Sequence, residues 1–338
     1  MEMVLIMVIL VAGGAGYIGS HTCVALLEAG HTVIVADNLS NSTIDIIDRI
    51  KCITNKEITF YKINVTDEAA VDEMFSTNKI DSVIHFAGFK AVGESVEKPL
   101  EYYYNNLVST MILSKACLKY DVMKFVFSSS ATIYGDNEVP FVETMDLLPT
   151  TNTYGETKVI SERILIDISK ANPNFAISLL RYFNPVGAHE SGLIGESPNG
   201  IPNNLMPYVT QVAKGKLKKL RVFGNDYDTV DGTGVRDYIH VMDLAEGHVA
   251  AIERLTRGVH IYNLGTGYGT SVLQLLRTFE EVNSLKIPYE IVDRRQGDIA
   301  KCYADVSKAR KELDWTAKRD IKEMVRDAWK FELNKMNK

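Results

Sequence analysis

The chain has four cysteines in 338 residues and no Cys-x-x-Cys pair, which excludes a disulfide scaffold and a zinc ribbon. Cys23, Cys52, Cys117 and Cys302 read as free thiols of a reducing compartment, and a cytoplasmic location is expected. An excess of basic charge is also lacking. With 37 Lys and Arg against 43 Asp and Glu, the net charge of -6 leaves no footprint for nucleic acid or an anionic membrane. The seven histidines show no H-x-H or H-E-x-x-H spacing, so no metal is expected. No apolar run approaches the roughly 18 residues of a membrane span. The apolar opening Met3 to Ala12 resembles a signal-peptide core. However, no Lys or Arg precedes Arg49 and the run feeds a glycine turn, so it reads as a first buried strand.

What is present has the rhythm of an α/β protein. Short apolar runs near Met7 to Val11, Thr32 to Ala36, Ser82 to Phe86, Phe125 to Ser128 and Ala176 to Leu180 alternate with helical patterns. That alternation predicts a doubly wound parallel sheet, with ligands beyond the carboxyl ends of its strands. Asp37, His85-Phe86-Ala87-Gly88 and Ser128-Ser129-Ser130 fall at such ends. From Asn184 to Asn204 the chain turns rich in Gly, Pro and Asn, too long for a plain connector and more like a binding loop. The expected organisation is a dinucleotide-binding domain over residues 1–183. A smaller substrate lobe over 184–338 follows, with some segments returning to pack on the first.

Gly13, Gly16 and Gly19 follow the first strand and open a helix from Ser20 to Ala29, which Gly30 ends. A diphosphate fits such a helix N-terminus, where free N–H groups and the dipole favour an anion. Asp37 ends the second strand about 20 residues on, where a carboxylate can accept ribose hydroxyls and repel a 2′-phosphate. That predicts NAD rather than NADP, although Asp37-Asn38 would equally make an Asx turn. Asn64, read as ending the third strand, is a candidate adenine contact.

Chemistry comes from Tyr154-x-x-x-Lys158. About one such pair is expected by chance among 16 tyrosines in a lysine-rich chain, and Tyr120 with Lys124 is a second. The context differs. Thr150 to Thr153 reads as a helix start and Glu156 to Ala171 continues at helical spacing, so Tyr154 and Lys158 share one helix face. Tyr120 ends a helix and Lys124 begins a strand. A phenol titrates near 10, so a base active near neutrality needs a shift of roughly three units. Lys158 and an oxidised nicotinamide would supply positive charge, and Ser130 would bridge Tyr154 and a substrate hydroxyl.

Longer segments then carry a resemblance. Phe86-Ala87-Gly88-Phe89-Lys90-Ala91-Val92-Gly93-Glu94-Ser95, Arg181-Tyr182-Phe183-Asn184-Pro185, Ile201-Pro202-Asn203-Asn204-Leu205-Met206-Pro207 and Gly232-Thr233-Gly234-Val235-Arg236-Asp237-Tyr238-Ile239-His240-Val241 resemble the UDP-glucose 4-epimerases. These are extended short-chain dehydrogenase/reductases, and the similarity covers nearly the whole chain. It implies a cofactor site of Gly13, Gly16, Tyr17, Ile18, Gly19, Asp37, Asn38, Asn41, Ser42, Asn64, Val65, Phe86, Ala87, Gly88, Lys90, Asn105, Tyr154, Lys158 and Phe183. It implies a UDP-sugar site of Lys90, Ser130, Tyr154, Asn184, Asn203, Asn204, Leu205, Phe223, Arg236, Arg295, Asp298 and Cys302. The implied reaction removes the sugar 4-OH proton with Tyr154 and hydride with NAD, then returns hydride to the other face of a 4-keto intermediate. Binding energy would concentrate on the nucleotide while the sugar turns. A homodimer through the helices at Leu100 to Leu118 and Glu156 to Ala171 is also implied.

Sugar-nucleotide dehydratases resemble this fold but carry an Asp-Glu acid/base pair directly after the residue matching Ser130, and UDP-glucuronate decarboxylases carry a glutamate at the second of these positions. Here they are Ala131 and Thr132, so epimerisation is the expected outcome. Cys302 stands where some epimerases have a bulky tyrosine, and a small residue there resembles members that accept N-acetylated sugars. UDP-GlcNAc and UDP-GalNAc are therefore expected beside UDP-glucose and UDP-galactose. A catalytic thiol at Cys302 finds no histidine partner in the sequence. His240 is expected to pack or cap near Asp243. Other readings are a different nucleotide-sugar epimerase, or a non-catalytic NAD-binding redox sensor, which the glycine turn and Asp37 alone would serve.

Overall fold

The structure, a computed structural model, describes residues 5–198, 200, 202–295 and 297–335; Met3 and Val4 of the apolar opening, Ile201 and Gln296 lie outside them. In chain order the first part runs β1 (Val8–Ala12), α1 (Tyr17–Glu28), β2 (Thr32–Ala36), α2 (Asp45–Thr54), β3 (Thr59–Tyr61), α3 (Glu68–Thr77), β4 (Ser82–His85), α4 (Val92–Glu97), α5 (Pro99–Lys119), β5 (Lys124–Ser128), α6 (Thr153–Ala171) and β6 (Ala176–Tyr182). There follow β7 (Asn184–Val186), α7 (Leu205–Ala213), β8 (Leu220–Phe223), β9 (Val235–Arg236), β10 (Tyr238–His240), α8 (Val241–Glu253), β11 (Val259–Leu264), β12 (Thr270–Ser271), α9 (Val272–Asn283), β13 (Tyr289–Val292), β14 (Lys301–Cys302), α10 (Ser307–Leu313) and α11 (Ile321–Asn334). Among the described residues, no helix is long and apolar enough to cross a membrane.

Seven strands form one parallel sheet in the order β11-β6-β5-β4-β1-β2-β3. Strand side chains alternate between its faces. Ile9, Val11, Val33 and Val35 meet α1, α2 and α8 on one face. Leu10, Ala12, Ile34 and Ala36 meet α3, α5 and α6 on the other. Burial on both faces is why these strands read as unbroken apolar runs. The winding reverses between β1 and β4, which opens a crevice at their carboxyl ends.

Several boundaries move. Leu5 and Ile6 are 76% and 70% exposed, so the buried strand starts only at Val8 and the apolar opening is not all core. The first helix begins at Tyr17 rather than Ser20, directly on the glycine turn. β6 runs on to Tyr182, and β11, from the second half, pairs along it from Val259↔Ile177 to Leu264↔Tyr182. A separate core of Val209, Val212, Leu220, Leu275, Phe279 and Val325 holds α7, β8, α9 and α11 together.

One buried ion pair ties α6 to the sheet. Arg181 on β6 donates from Nε and Nη2 to the two carboxylate oxygens of Glu162, at 3.1 and 2.7 Å, and both residues are under 4% exposed. Ser129, just past β5, donates to the same carboxylate at 2.5 Å. Arg181→Met should cost about 3–5 kcal/mol in urea unfolding, because it strands a buried carboxylate. Replacing both partners with Met and Leu should recover most of that, and equal losses in the single and double variants would disprove this role.

Candidate active site

The glycine turn is shaped by close approach. Gly13 has φ +80, and a Cβ there would lie 2.6 Å from the Ala87 nitrogen; one at Gly19 would lie 2.2 Å from the Gly13 carbonyl oxygen. Only glycine fits either position without displacing backbone. Gly16 caps α1 with no side-chain hydrogen bond, so the amides of Tyr17, Ile18 and Gly19 in the first turn have no helical partner. Asp37, at the end of β2, accepts from Leu39 N at 2.8 Å, Ala15 N at 3.1 Å and Ser42 Oγ at 3.1 Å. It makes the Asx turn and also clamps the glycine turn; two of these donors fill Oδ1, and the acceptor position left open is on Oδ2. This cradle fits a dinucleotide.

The other cofactor candidates divide. Phe86, Ala87 and Gly88 leave β4 across the turn. Lys90 donates to Glu196 at 3.2 Å and lies 5.9 Å above the Tyr17 ring. Asn38 and Asn41 are exposed, and Asn38 turns its Oδ1 to Ser40 N at 3.0 Å. Val65 packs in the core. Asn64 does not end the third strand: β3 stops at Tyr61, and Asn64 makes an exposed turn by accepting from Thr66 N at 3.1 Å. Asn105 donates to its neighbour Asn106 at 3.0 Å. It is Asn106 that is buried, accepting from Phe89 N at 2.8 Å and donating to Thr157 Oγ1 at 3.0 Å.

Tyr154 and Lys158 lie on one face of α6, whose N-terminus is doubly held. Asn152 Oδ1 accepts from Gly155 N at 2.9 Å and Ser95 Oγ from Tyr154 N at 3.1 Å. Lys158 Nζ donates to the Ser128 carbonyl at 2.6 Å and lies 5.7 Å from the centre of the Tyr154 ring. Burial lowers the Lys158 ammonium to about 8 while Glu162 works to keep it charged. Burial pushes the Tyr154 phenol up to about 12, opposed by the hydroxyl of Ser130. In the protein alone desolvation outweighs the Ser130 hydroxyl, and the phenol lies above its ordinary range. Ser130 does not end the strand either: β5 stops at Ser128 and Ser130 caps a 3₁₀ turn over Ala131–Tyr134.

The second half closes over this centre. Phe183, Val159, Tyr134 and Phe141 form an apolar cluster against which Cys302 packs. Burial pushes the Cys302 thiol up to about 12, which rules against a nucleophile there. β14 pairs Cys302 with Arg236 on β9. Arg236 donates to the Val235 carbonyl at 2.8 Å and stands 3.9 Å from Asp298, to which Arg295 donates at 3.2 and 3.3 Å. Arg295 also lies 5.3 Å over the Phe223 ring. Asn184 and Asn203 are exposed, Leu205 opens α7 and Asn204 caps it. Asn204 donates to Glu196 at 2.6 Å, so Glu196 joins the Lys90 side to the α7 side. Neither Glu196 nor Ser95 stood out in the sequence, although Ser95 ends a quoted motif. His240 does cap, accepting from Met242 N at 3.1 Å, but its partner is Asp327 at 3.3 Å; Asp243 instead binds Lys318 and Arg319.

A doubly wound sheet with a glycine turn, an acidic second-strand end and a Tyr-x-x-x-Lys helix defines an NAD-dependent enzyme of the extended short-chain class. The chain belongs to the NAD dependent epimerase/dehydratase family, whose profile matches residues 9–265. It is 57% identical over 333 residues to the UDP-glucose 4-epimerase of Bacillus subtilis (strain 168), covering 98% of each chain. The UDP-glucose 4-epimerase of Bifidobacterium longum, solved with NAD+ and UDP, superposes with a TM-score of 0.95 at 53% identity, over 98% of this chain and 99% of that one. The UDP-Glc/GlcNAc 4-epimerase of Campylobacter jejuni gives 0.84 at 38%, over 97% and 99%.

Burial holds three histidines neutral, His21 and His85 at about 3 and His248 at about 4, with Lys158 adding to the effect at His85. Unfolded, each takes up a proton near its ordinary 6.5. Between these values the unfolded chain binds more protons, so stability falls as pH drops through the window. The urea midpoint should decline from pH 7 to 5, each histidine contributing up to about 1.4 kcal/mol per pH unit. His85→Asn should flatten that slope; an identical slope in wild type and variant would remove His85 from the account.

Proposed function

We propose that the chain interconverts UDP-glucose and UDP-galactose by NAD-dependent epimerisation at C4. The observation that carries this reading is the Ser130, Tyr154 and Lys158 group beside the glycine turn, with no second acid or base at Ala131 or Thr132. NAD, when bound, would take hydride from C4 and return it. The chain's residues do the rest. Tyr154 takes the proton of the sugar 4-hydroxyl and later gives it back, Lys158 holds positive charge behind it, and the pocket keeps the 4-keto sugar from water. The 1–183 part holds NAD through the glycine turn and Asp37. The 184–338 part binds UDP-sugar, with α8 and β11 returning to the sheet. Arg236 and Arg295 clamp the diphosphate, while Asn184, Asn203, Asn204, Leu205 and Phe223 line the nucleotide and sugar. A reducing, cytoplasmic setting suits four free cysteines.

Cys302 extends the substrate range. A small side chain at the Arg236 strand leaves room for a 2-acetamido group, and the Campylobacter jejuni relative is described as acting on both sugar types. The purified protein should convert UDP-galactose and UDP-GalNAc to their 4-epimers in proton NMR, without added reductant. Tyr154→Phe should retain NAD but lose about a thousandfold or more in rate. Cys302→Tyr should lose only the N-acetyl pair. Turnover unchanged by Tyr154→Phe would refute the base, and an N-acetyl rate unchanged by Cys302→Tyr would refute the steric reading. Conversion of neither sugar with NAD present would favour another nucleotide sugar or a sensing role.

A homodimer is part of the proposal. Val96, Leu100, Tyr104 and Met111 lie along α4 and α5 at 61%, 83%, 64% and 45% exposure, a stripe that a second copy would cover. Sedimentation should give twice the 37.7 kDa chain mass, and Leu100→Asp with Tyr104→Arg should give one chain. A wild-type monomer at micromolar concentration would reject the dimer.

A further inference from the structure

A hydroxyl has one proton to give and two lone pairs to fill. At Ser130 both acceptor positions are occupied by one residue: Thr132 N donates to Oγ at 3.2 Å and Thr132 Oγ1 donates at 3.0 Å. The first contact is the cap of the 3₁₀ turn and needs no threonine. The second is a side-chain contact that capping does not explain. Thr132 Oγ1 is itself confined, lying 3.4 Å from where a Cβ on Gly155 would sit, against the first turn of α6 and next to Tyr154. What Ser130 retains is its own proton to donate, and its hydroxyl opposes the rise that burial gives the Tyr154 phenol.

We infer that Thr132 is a positioning residue that makes Ser130 a one-way donor, so that the sugar 4-hydroxyl gives its proton to Tyr154 directly and not through Ser130. This rests on the epimerase reading. In the step, the O4–H bond breaks as Tyr154, ionised in the assembled site, forms its O–H bond, and the C4–H bond breaks with its electron pair going to NAD, which would accept the hydride when bound, while Ser130 keeps its proton and donates a hydrogen bond throughout. A relay would need a free Ser130 lone pair to receive the O4 proton, and Thr132 fills both. The position where related dehydratases carry a proton-transferring glutamate would here hold a group that prevents proton transfer through its neighbour.

The test compares wild type, Thr132→Val and Thr132→Ser as NAD-bound proteins. Losing the Thr132 hydroxyl frees a Ser130 lone pair and lets its proton turn away, so Thr132→Val should lower kcat about tenfold with KM within about twofold. Thr132→Ser should restore kcat. Tyrosinate absorbance, taken as the difference between each protein and its Tyr154→Phe counterpart, should show Tyr154 ionising at higher pH in Thr132→Val only. If Thr132→Val does not fold, Thr132→Ala takes its place. Unchanged kcat and titration in the Val variant, or Thr132→Ser as impaired as Val, would overturn the inference. Absence of epimerisation in every protein, wild type included, would instead refute the epimerase reading, and the titrations would still decide the state of Ser130.

Discussion

The register of α6 against the sheet depends on the bidentate pair between Arg181 and Glu162. Taking two charges out of water is costly, and such a pair is weak support for net stability. What it supplies is geometry. A guanidinium and a carboxylate meeting through two parallel bonds accept little sliding or rotation, and Ser129 fixes the carboxylate from a third direction. Lys158 stands one turn before Glu162 and Tyr154 one turn before Lys158. Once Glu162 is pinned to β6, both are carried to the carboxyl ends of β4 and β5, where Lys158 finds the Ser128 carbonyl.

The same ladder sets the charges. Along one line of the helix lie a phenol, an ammonium and a carboxylate, with a guanidinium beyond. Glu162 opposes the desolvation of Lys158, which therefore stays a cation at neutral pH although it is buried. That cation does not ionise Tyr154 in the protein alone, where burial raises the phenol. Bringing it to neutrality is a longer way down than from a solvated phenol near 10, and on the proposed reading the bound cofactor would supply the remaining positive charge. On the proposed reading, Tyr154 would therefore act as a base only in the assembled site, where the cofactor would add its positive charge.

Much of this was legible in the sequence, for a local reason. β2 runs over Thr32–Ala36 as its apolar run indicates, because a strand buried on both faces admits only such residues, and Gly19 answers a local contact with Gly13, although the contact that demands glycine at Gly13 comes from distant Ala87. The resemblance pointed to the same cleft. What stayed hidden depends on distance along the chain. Glu196 is one carboxylate in an irregular loop, and only folding brings distant Lys90 to it beside Asn204. β11 has no more apolar signal than its neighbours, and pairing with β6 makes it part of the main sheet. The desolvation of Tyr154 also stayed hidden, because proximity to Lys158 can be read from spacing, whereas burial cannot.

The substrate side explains how one pocket can serve both epimers on the proposed reading. Arg236 and Arg295 are not free: both lie on Asp298, and Arg295 is further braced by Phe223. Two guanidiniums on one carboxylate leave about one positive charge for a diphosphate to meet, with Arg236 partly buried and Arg295 more than half exposed. Asp298 and Phe223 meet part of the ordering cost of Arg295 before a ligand arrives. The wall contributed by Phe183 and Cys302 is apolar and directionless. A ring gripped by directed hydrogen bonds could present only one face to the cofactor. A ring tethered through its diphosphate and otherwise in contact with apolar side chains can present either face, and this asymmetry of grip makes a reversible exchange at C4 mechanically possible.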